Sequence, residues 1–212
     1  MIGDFDFLMI PGWMGSGPHH WQTHWELKRP AFRRMVLNDW RNVHREDWVL
    51  ALDSALRSMG NDVVLVAHSL GCLATVWWAH SGSELRHRVR AAMLVAPPDL
   101  SSAPGSLPAL SSFHPPPIQA LPFPSLVVAS ETDPWVSIGA AESMAHNWGS
   151  AFLNAGRIGH INVDSGHGDW PQGERYFDDF LCLLHVMGYG PKTDSSSHPN
   201  NLPNHPALRY VI

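Results

Sequence analysis

Val63-Val64-Leu65-Val66 is an uninterrupted apolar run, followed at once by Ala67-His68-Ser69-Leu70-Gly71 and an apolar, helix-like stretch over 73–80. Such a run reads as a buried strand. A strand that turns sharply into a helix with a serine at the tip lifts that hydroxyl above the sheet. Small residues two before and two after the serine let the flanking backbones pass closely, and here they are Ala67 and Gly71. Alone, small-x-Ser-x-Gly is a weak pattern, and its bland reading is a turn whose serine merely caps the next helix. Between a buried strand and a helix, it makes Ser69 a candidate nucleophile.

Short apolar runs alternate with amphipathic ones along the chain, the pattern of repeated βαβ units. This predicts strands over 5–10, 35–37, 63–67, 91–96, 126–129 and 151–153, with helices near 21–28, 47–59, 70–80, 138–148 and 175–187. In the second helix, Trp48, Leu52, Ala55, Leu56 and Met59 recur at helical spacing as a core-facing stripe, and Gly60 is placed to end it. The expected fold is α/β, a mostly parallel sheet of about six strands flanked by helices. One domain over 1–188 accounts for most of the 212 residues and leaves no room for a large lid. Residues 97–124 hold nine prolines without periodicity, an irregular excursion that either shapes a pocket wall or detours over the surface. Residues 189–212, rich in Ser, Asn, Pro and His, read as a tail outside the domain.

Composition removes several function classes. The net charge is −5 with no basic cluster longer than Lys28-Arg29 or Arg33-Arg34, which disfavours a nucleic-acid partner. No stretch approaches the ~20 apolar residues of a membrane helix. Asp4 and Asp6 precede only a short apolar run, unlike a secretory signal, so a cytoplasmic location is expected. Cys72 and Cys182 cannot make a disulfide framework and read as reduced core residues.

A serine hydroxyl needs a base, and the base needs a carboxylate to fix its tautomer. In a nucleophile-elbow fold the order along the chain is Ser, acid, His. Asp133 lies four residues past Leu126-Val127-Val128-Ala129, in a turn fixed by Pro134. Glu131 and Asp99 are rival acids. For the base, His160 in Gly159-His160-Ile161-Asn162 and His167 in Ser165-Gly166-His167-Gly168 share one loop, and His160 is nearer the strand end. The chemistry leaves both open. An oxyanion hole needs two N–H groups. Leu70 offers one, and Trp13 offers the other from the glycine-rich loop Pro11-Gly12-Trp13-Met14-Gly15-Ser16-Gly17. The glycines of that loop match neither phosphate-binding spacing, so no nucleotide cofactor is expected. His20 and His24 stand at a ligand spacing beside His19, but without a His-Glu-x-x-His pattern or an obvious third ligand, and no metal is expected.

The chain resembles the small serine hydrolases of the retinoblastoma-binding protein 9 / YdeN type, a compact α/β-hydrolase family. The resemblance runs from Phe5 to about Val186. It is carried by Pro11-Gly12-Trp13, Ser16-Gly17-Pro18 with His20-Trp21-Gln22, Asp39-Trp40, and Val66-Ala67-His68-Ser69-Leu70-Gly71-Cys72. It continues through Ala96-Pro97-Pro98-Asp99, Pro124 to Ser130, Gly159-His160-Ile161-Asn162 and Gly168-Asp169-Trp170-Pro171-Gln172-Gly173. It implies a nucleophile at Ser69, an acid at Asp133 and a base at His160, with no cofactor. Small esters, and amides as a second class, become the expected substrates. Trp13, Trp135 and Trp170 neighbour the three site loops and are candidates to line an apolar pocket, with core packing an equal account of each. The Leu-x-Cys-x-Glu motif of a retinoblastoma partner is absent, so no such partner is expected. The alternative from another class is a binding module that keeps the fold without catalysis.

Overall fold

A computed structural model describes residues 5–41, 43–101 and 108–190. The strands are β1 (Asp6–Ile10), β2 (Phe32–Arg34), β3 (Val63–His68), β4 (Val89–Val95), β5 (Ser125–Ala129) and β6 (Ala151–Asn154). They form one parallel sheet in the order β2-β1-β3-β4-β5-β6. The helices are α1 (Trp21–Lys28), α2 (Arg45–Arg57), α3 (Leu70–Ala79), α4 (Ile138–Trp148) and α5 (Pro171–Val186).

Both faces of the sheet are covered, which is why its central strands read as unbroken apolar runs. Val63, Leu65 and Ala67 join Leu8 and Ile10 in one core with Trp48, Leu52 and Leu56 of α2 and Leu73 and Val76 of α3. Val64 and Val66 point the other way, to Met9, to Trp21 and Trp25 of α1 and to Phe177 and Phe180 of α5. The period of two along each strand divides the core between the two helical layers.

The chain leaves β1 toward β2 on one side and returns to β3 on the other. The carboxyl ends of β1 and β3 therefore open a crevice where the strand order reverses, the usual place for a ligand in such a sheet. The loop after β1 and the turn after β3 meet there.

Three sequence expectations are corrected. The second strand is Phe32–Arg34, not 35–37: Phe7, Leu8 and Met9 pair with Phe32, Arg33 and Arg34. As an edge strand, β2 tolerates the two arginines that break its apolar pattern; Phe32 is buried, and Arg34 reaches Glu26 and the Ser16 carbonyl. The last helix starts at Pro171, since proline is well suited to a first helical position. Gly173 is then packed under Trp170, where a Cβ would stand 2.1 Å from a ring carbon. Cys182 is exposed, because the core face of α5 is Phe177, Phe180, Leu181 and Leu184; Cys72 is buried.

The described part of the proline-rich excursion is neither a plain detour nor regular. A short 3₁₀ turn over Pro108–Phe113 buries Leu110 and Phe113, and Leu121 and Phe123 follow them into the core. It is tied to three helices by Arg45 N–H to Ser112 Oγ (3.1 Å), Trp77 Nε1–H to Phe113 O (3.1 Å) and Trp148 Nε1–H to Pro117 O (2.9 Å). Of the expected tail, Tyr189 packs on the core and Gly190 O accepts from Arg90; residues 191–212 lie outside the described residues. Among the described residues, no helix is long and apolar enough to cross a membrane.

Candidate active site

Ser69 occupies the junction between β3 and α3 at φ 54°, ψ −125°. Its N–H donates to Val95 O of β4 (2.9 Å), which anchors the strained turn to the sheet. Gly71 passes beneath the end of β1, where a Cβ would stand 2.4 Å from Ile10 O and 2.5 Å from Pro11 O. Only glycine fits. Ala67, inside β3 and fully buried, has room for its Cβ.

The loops after β5 and β6 are joined to each other. Ser130 Oγ accepts Ile158 N–H and Thr132 Oγ1 accepts Gly159 N–H, each at 3.0 Å. Gly159 has φ +64°, and any Cβ there would stand 2.5 Å from that of Ser165. These contacts bring together residues that are far apart in sequence. His160 Nδ1 lies 2.8 and 2.9 Å from the Asp133 carboxylate oxygens, and its Nε2 lies 2.9 Å from Ser69 Oγ. Asp133 Oδ1 also accepts Trp135 N–H (2.9 Å), which fixes the carboxylate plane. Both Asp133 and His160 are buried, while Ser69 is half-buried and within reach from solvent.

The rivals stand elsewhere. Glu131 accepts from Asn154 Nδ2 (3.0 Å), and Asp99 accepts from Ser101 N–H and Oγ–H. His167 pairs with Ser165 Oγ (3.2 Å) and its carbonyl receives Trp21 N–H (3.2 Å), a role in holding the loop against α1.

The glycine-rich loop after β1 is pressed against the serine. A Cβ on Gly12 would stand 2.8 Å from Ser69 Cβ and 3.4 Å from its Oγ. Among the described residues, no backbone carbonyl takes the Trp13 or Leu70 N–H. Trp13 is half-buried with Nε1–H directed at Arg41 O, and the half-buried Trp135 ring lies 6.1 Å from the His160 ring. Trp170 differs: it is 3% exposed and packed against Trp21 and Trp25, in the core rather than at the site mouth.

Sequence reasoning missed a layer of buried polar residues under the site. Gln22, on α1, donates to Ile10 O (3.3 Å) and Val66 O (3.2 Å) and accepts from Ser16 Oγ (2.6 Å), tying the ends of β1 and β3 to the glycine-rich loop. His20 caps α1 by accepting Gln22 N–H (3.2 Å). Burial, then the Arg34 charge and neighbouring imidazoles, push its pKa down to about 4. Burial likewise holds His68 well below the ordinary histidine range. The signal available was the block Ser16 to Gln22, polar residues interleaved with tryptophan ahead of a helix. Among the described residues, no group of three His, Cys, Asp or Glu side chains converges as a metal site.

Comparison with known proteins places the chain in a family. The serine hydrolase family profile matches residues 7–179. A YdeN-like hydrolase of Pectobacterium atrosepticum is 30% identical, covering 85% of this chain and 92% of its own, with a TM-score of 0.75. The ydeN gene product of B. subtilis (18% identical, 88% and 98% covered, TM-score 0.60) and a thermophilic esterase of Thermogutta terrifontis (17%, 87% and 90%, 0.59) share the fold. No curated protein gives a significant sequence match. Since the profile spans most of the sequence, elbow included, the chain belongs to the serine hydrolase family.

Proposed function

We propose that this hydrolase cleaves small carboxylic esters, and amides more slowly, through an acyl-enzyme on Ser69. The observation that carries the reading is the unbroken chain from Asp133 through His160 to Ser69, with links of 2.8 and 2.9 Å. Nδ1–H of neutral His160 donates to the Asp133 carboxylate, so Nε2 is left as the acceptor for the Ser69 hydroxyl proton. Ser69 Oγ attacks the acyl carbonyl carbon as its proton passes to His160 Nε2. The carbonyl oxygen becomes an oxyanion between the N–H groups of Leu70, at the start of α3, and Trp13. His160 then returns the proton to the leaving alkoxide, and the carbon–oxygen bond breaks. Water, deprotonated by the same nitrogen, attacks the acyl-enzyme and restores Ser69. Asp133 remains ionised throughout and stabilises the imidazolium.

The half-buried rings of Trp13 and Trp135 on the two flanking loops suit a compact apolar acyl or alkyl group. A fluorophosphonate probe tests the reading. Labelling is expected at Ser69 in the wild-type protein and lost in Ser69→Ala. A folded wild-type protein that stays unlabelled, and that turns over no short p-nitrophenyl ester, would instead be a binding module.

A further inference from the structure

The catalytic reading uses the ring of His160, but the His160 carbonyl has a partner of its own. His68, the last residue of β3, places Nε2 3.0 Å from that oxygen, with the two rings 5.1 Å apart. A carbonyl only accepts, so Nε2 of His68 carries the proton and Nδ1 does not. The His68 ring is enclosed by His20, edge-on at 4.9 Å, and by Trp21 at 6.0 Å. Trp21 in turn donates Nε1–H to the next carbonyl, that of Ile161, at 2.9 Å. Ile161 stands at φ 51°, a left-handed conformation that is costly for a β-branched residue. Two successive carbonyls of one strained turn are therefore held from below, one by β3 and one by α1.

We propose that His68 is a positioning residue: its Nε2–H fixes the backbone from which His160 projects, so that the imidazole meets Ser69 and Asp133 together. This inference rests on His160 being the base. The side chain preceding the nucleophile thereby sets the geometry of a base 92 residues later. A buried histidine serving only stability would leave the alignment of His160 unaffected when replaced by a residue of similar bulk.

Nitrogen-detected NMR of the histidines in the wild-type protein reads the tautomer directly. Nε2–H is expected at His68, and an Nδ1–H tautomer overturns the proposal. Two variants separate donor from bulk: His68→Gln keeps an N–H at comparable reach, and His68→Met has similar length without one. On a short p-nitrophenyl ester, kcat is expected to fall about 100-fold in His68→Met with KM little changed, and to recover to within about fivefold of wild type in His68→Gln. The downfield proton of the His160 Nδ1–H bond to Asp133 should weaken in His68→Met and persist in His68→Gln. Equal kcat in the two variants, or an unaltered downfield signal in His68→Met, overturns the proposal. A wild-type protein that fails to label at Ser69 overturns the serine mechanism instead, and the downfield signal still decides the role of His68.

Discussion

Gly12 and Ser69 approach so closely that a methyl group on the glycine would stand 2.8 Å from the serine Cβ. The neighbour on that side is the proposed nucleophile, so any added carbon must displace either the glycine-rich loop or the serine. Gly12→Ala is accordingly expected to fold, with kcat/KM lowered by about 100-fold or more, since one oxyanion donor is worth about that much. Steady-state kinetics on a short ester, with circular dichroism as the folding control, checks this. Wild-type kinetics in that variant would mean that the loop moves freely and that Trp13 N–H is not a fixed donor.

The backbone at Ser69 gives a stability prediction alongside the catalytic one. At φ 54°, ψ −125°, serine and alanine bear the same strain, whereas glycine bears little. Ser69→Ala should abolish esterase activity with a Tm near that of wild type. Ser69→Gly should be equally inactive yet more stable than Ser69→Ala by about 1 kcal/mol in denaturant titration. A glycine variant less stable than the alanine variant would show that the turn is unstrained.

The two histidines of the last loop should separate. His160→Ala is expected to lower kcat by several orders of magnitude, and Asp133→Asn to resemble it, because an amide leaves the imidazolium unsupported. His167→Ala, which loses only its Ser165 contact and packing on Trp170, should cost about tenfold at most. Loss of turnover in His167→Ala with His160→Ala largely active would exchange their roles.

Acid stability should be set in part by His20. Its pKa is about 4 in the folded protein against an ordinary 6.5, so between those values the unfolded chain binds the extra proton. Stability is then fully retained above about pH 6.5 and declines as pH falls toward about 4, by an amount on the order of 3 kcal/mol. His68 acts in the same direction. His20→Asn retains an acceptor for the Gln22 N–H but does not titrate, so its Tm should fall less steeply with acid. Identical slopes in the two proteins would remove His20 as a cause.

What could be read in advance follows from where information sits in a chain. Val63 to Val66 announced β3 because burial on both faces demands apolar residues at every position, and the stripe from Trp48 to Met59 announced α2 in the same local way. The edge strand β2 lacks that demand, so no apolar run marks its place, and apolar character alone does not say which side of α5 Cys182 takes. At the site, Ser69 and Gly71 are visible as a local backbone requirement. The partners of His68 and Gln22 are not, since a buried polar side chain is explained by a carbonyl supplied from a distant part of the sequence.

The aromatic layer between α1 and α5 bears on how the protein is born. Trp25 packs on Trp170 and Phe177, Trp21 bonds Ile161 O, and Lys28 meets Asp169 141 residues later. On a ribosome adding about 5–20 residues per second, α1 waits on the order of ten seconds for the helix that covers it. Throughout that interval two large indoles stand open to other nascent chains. Those indoles gain their cover only once α5 has been made.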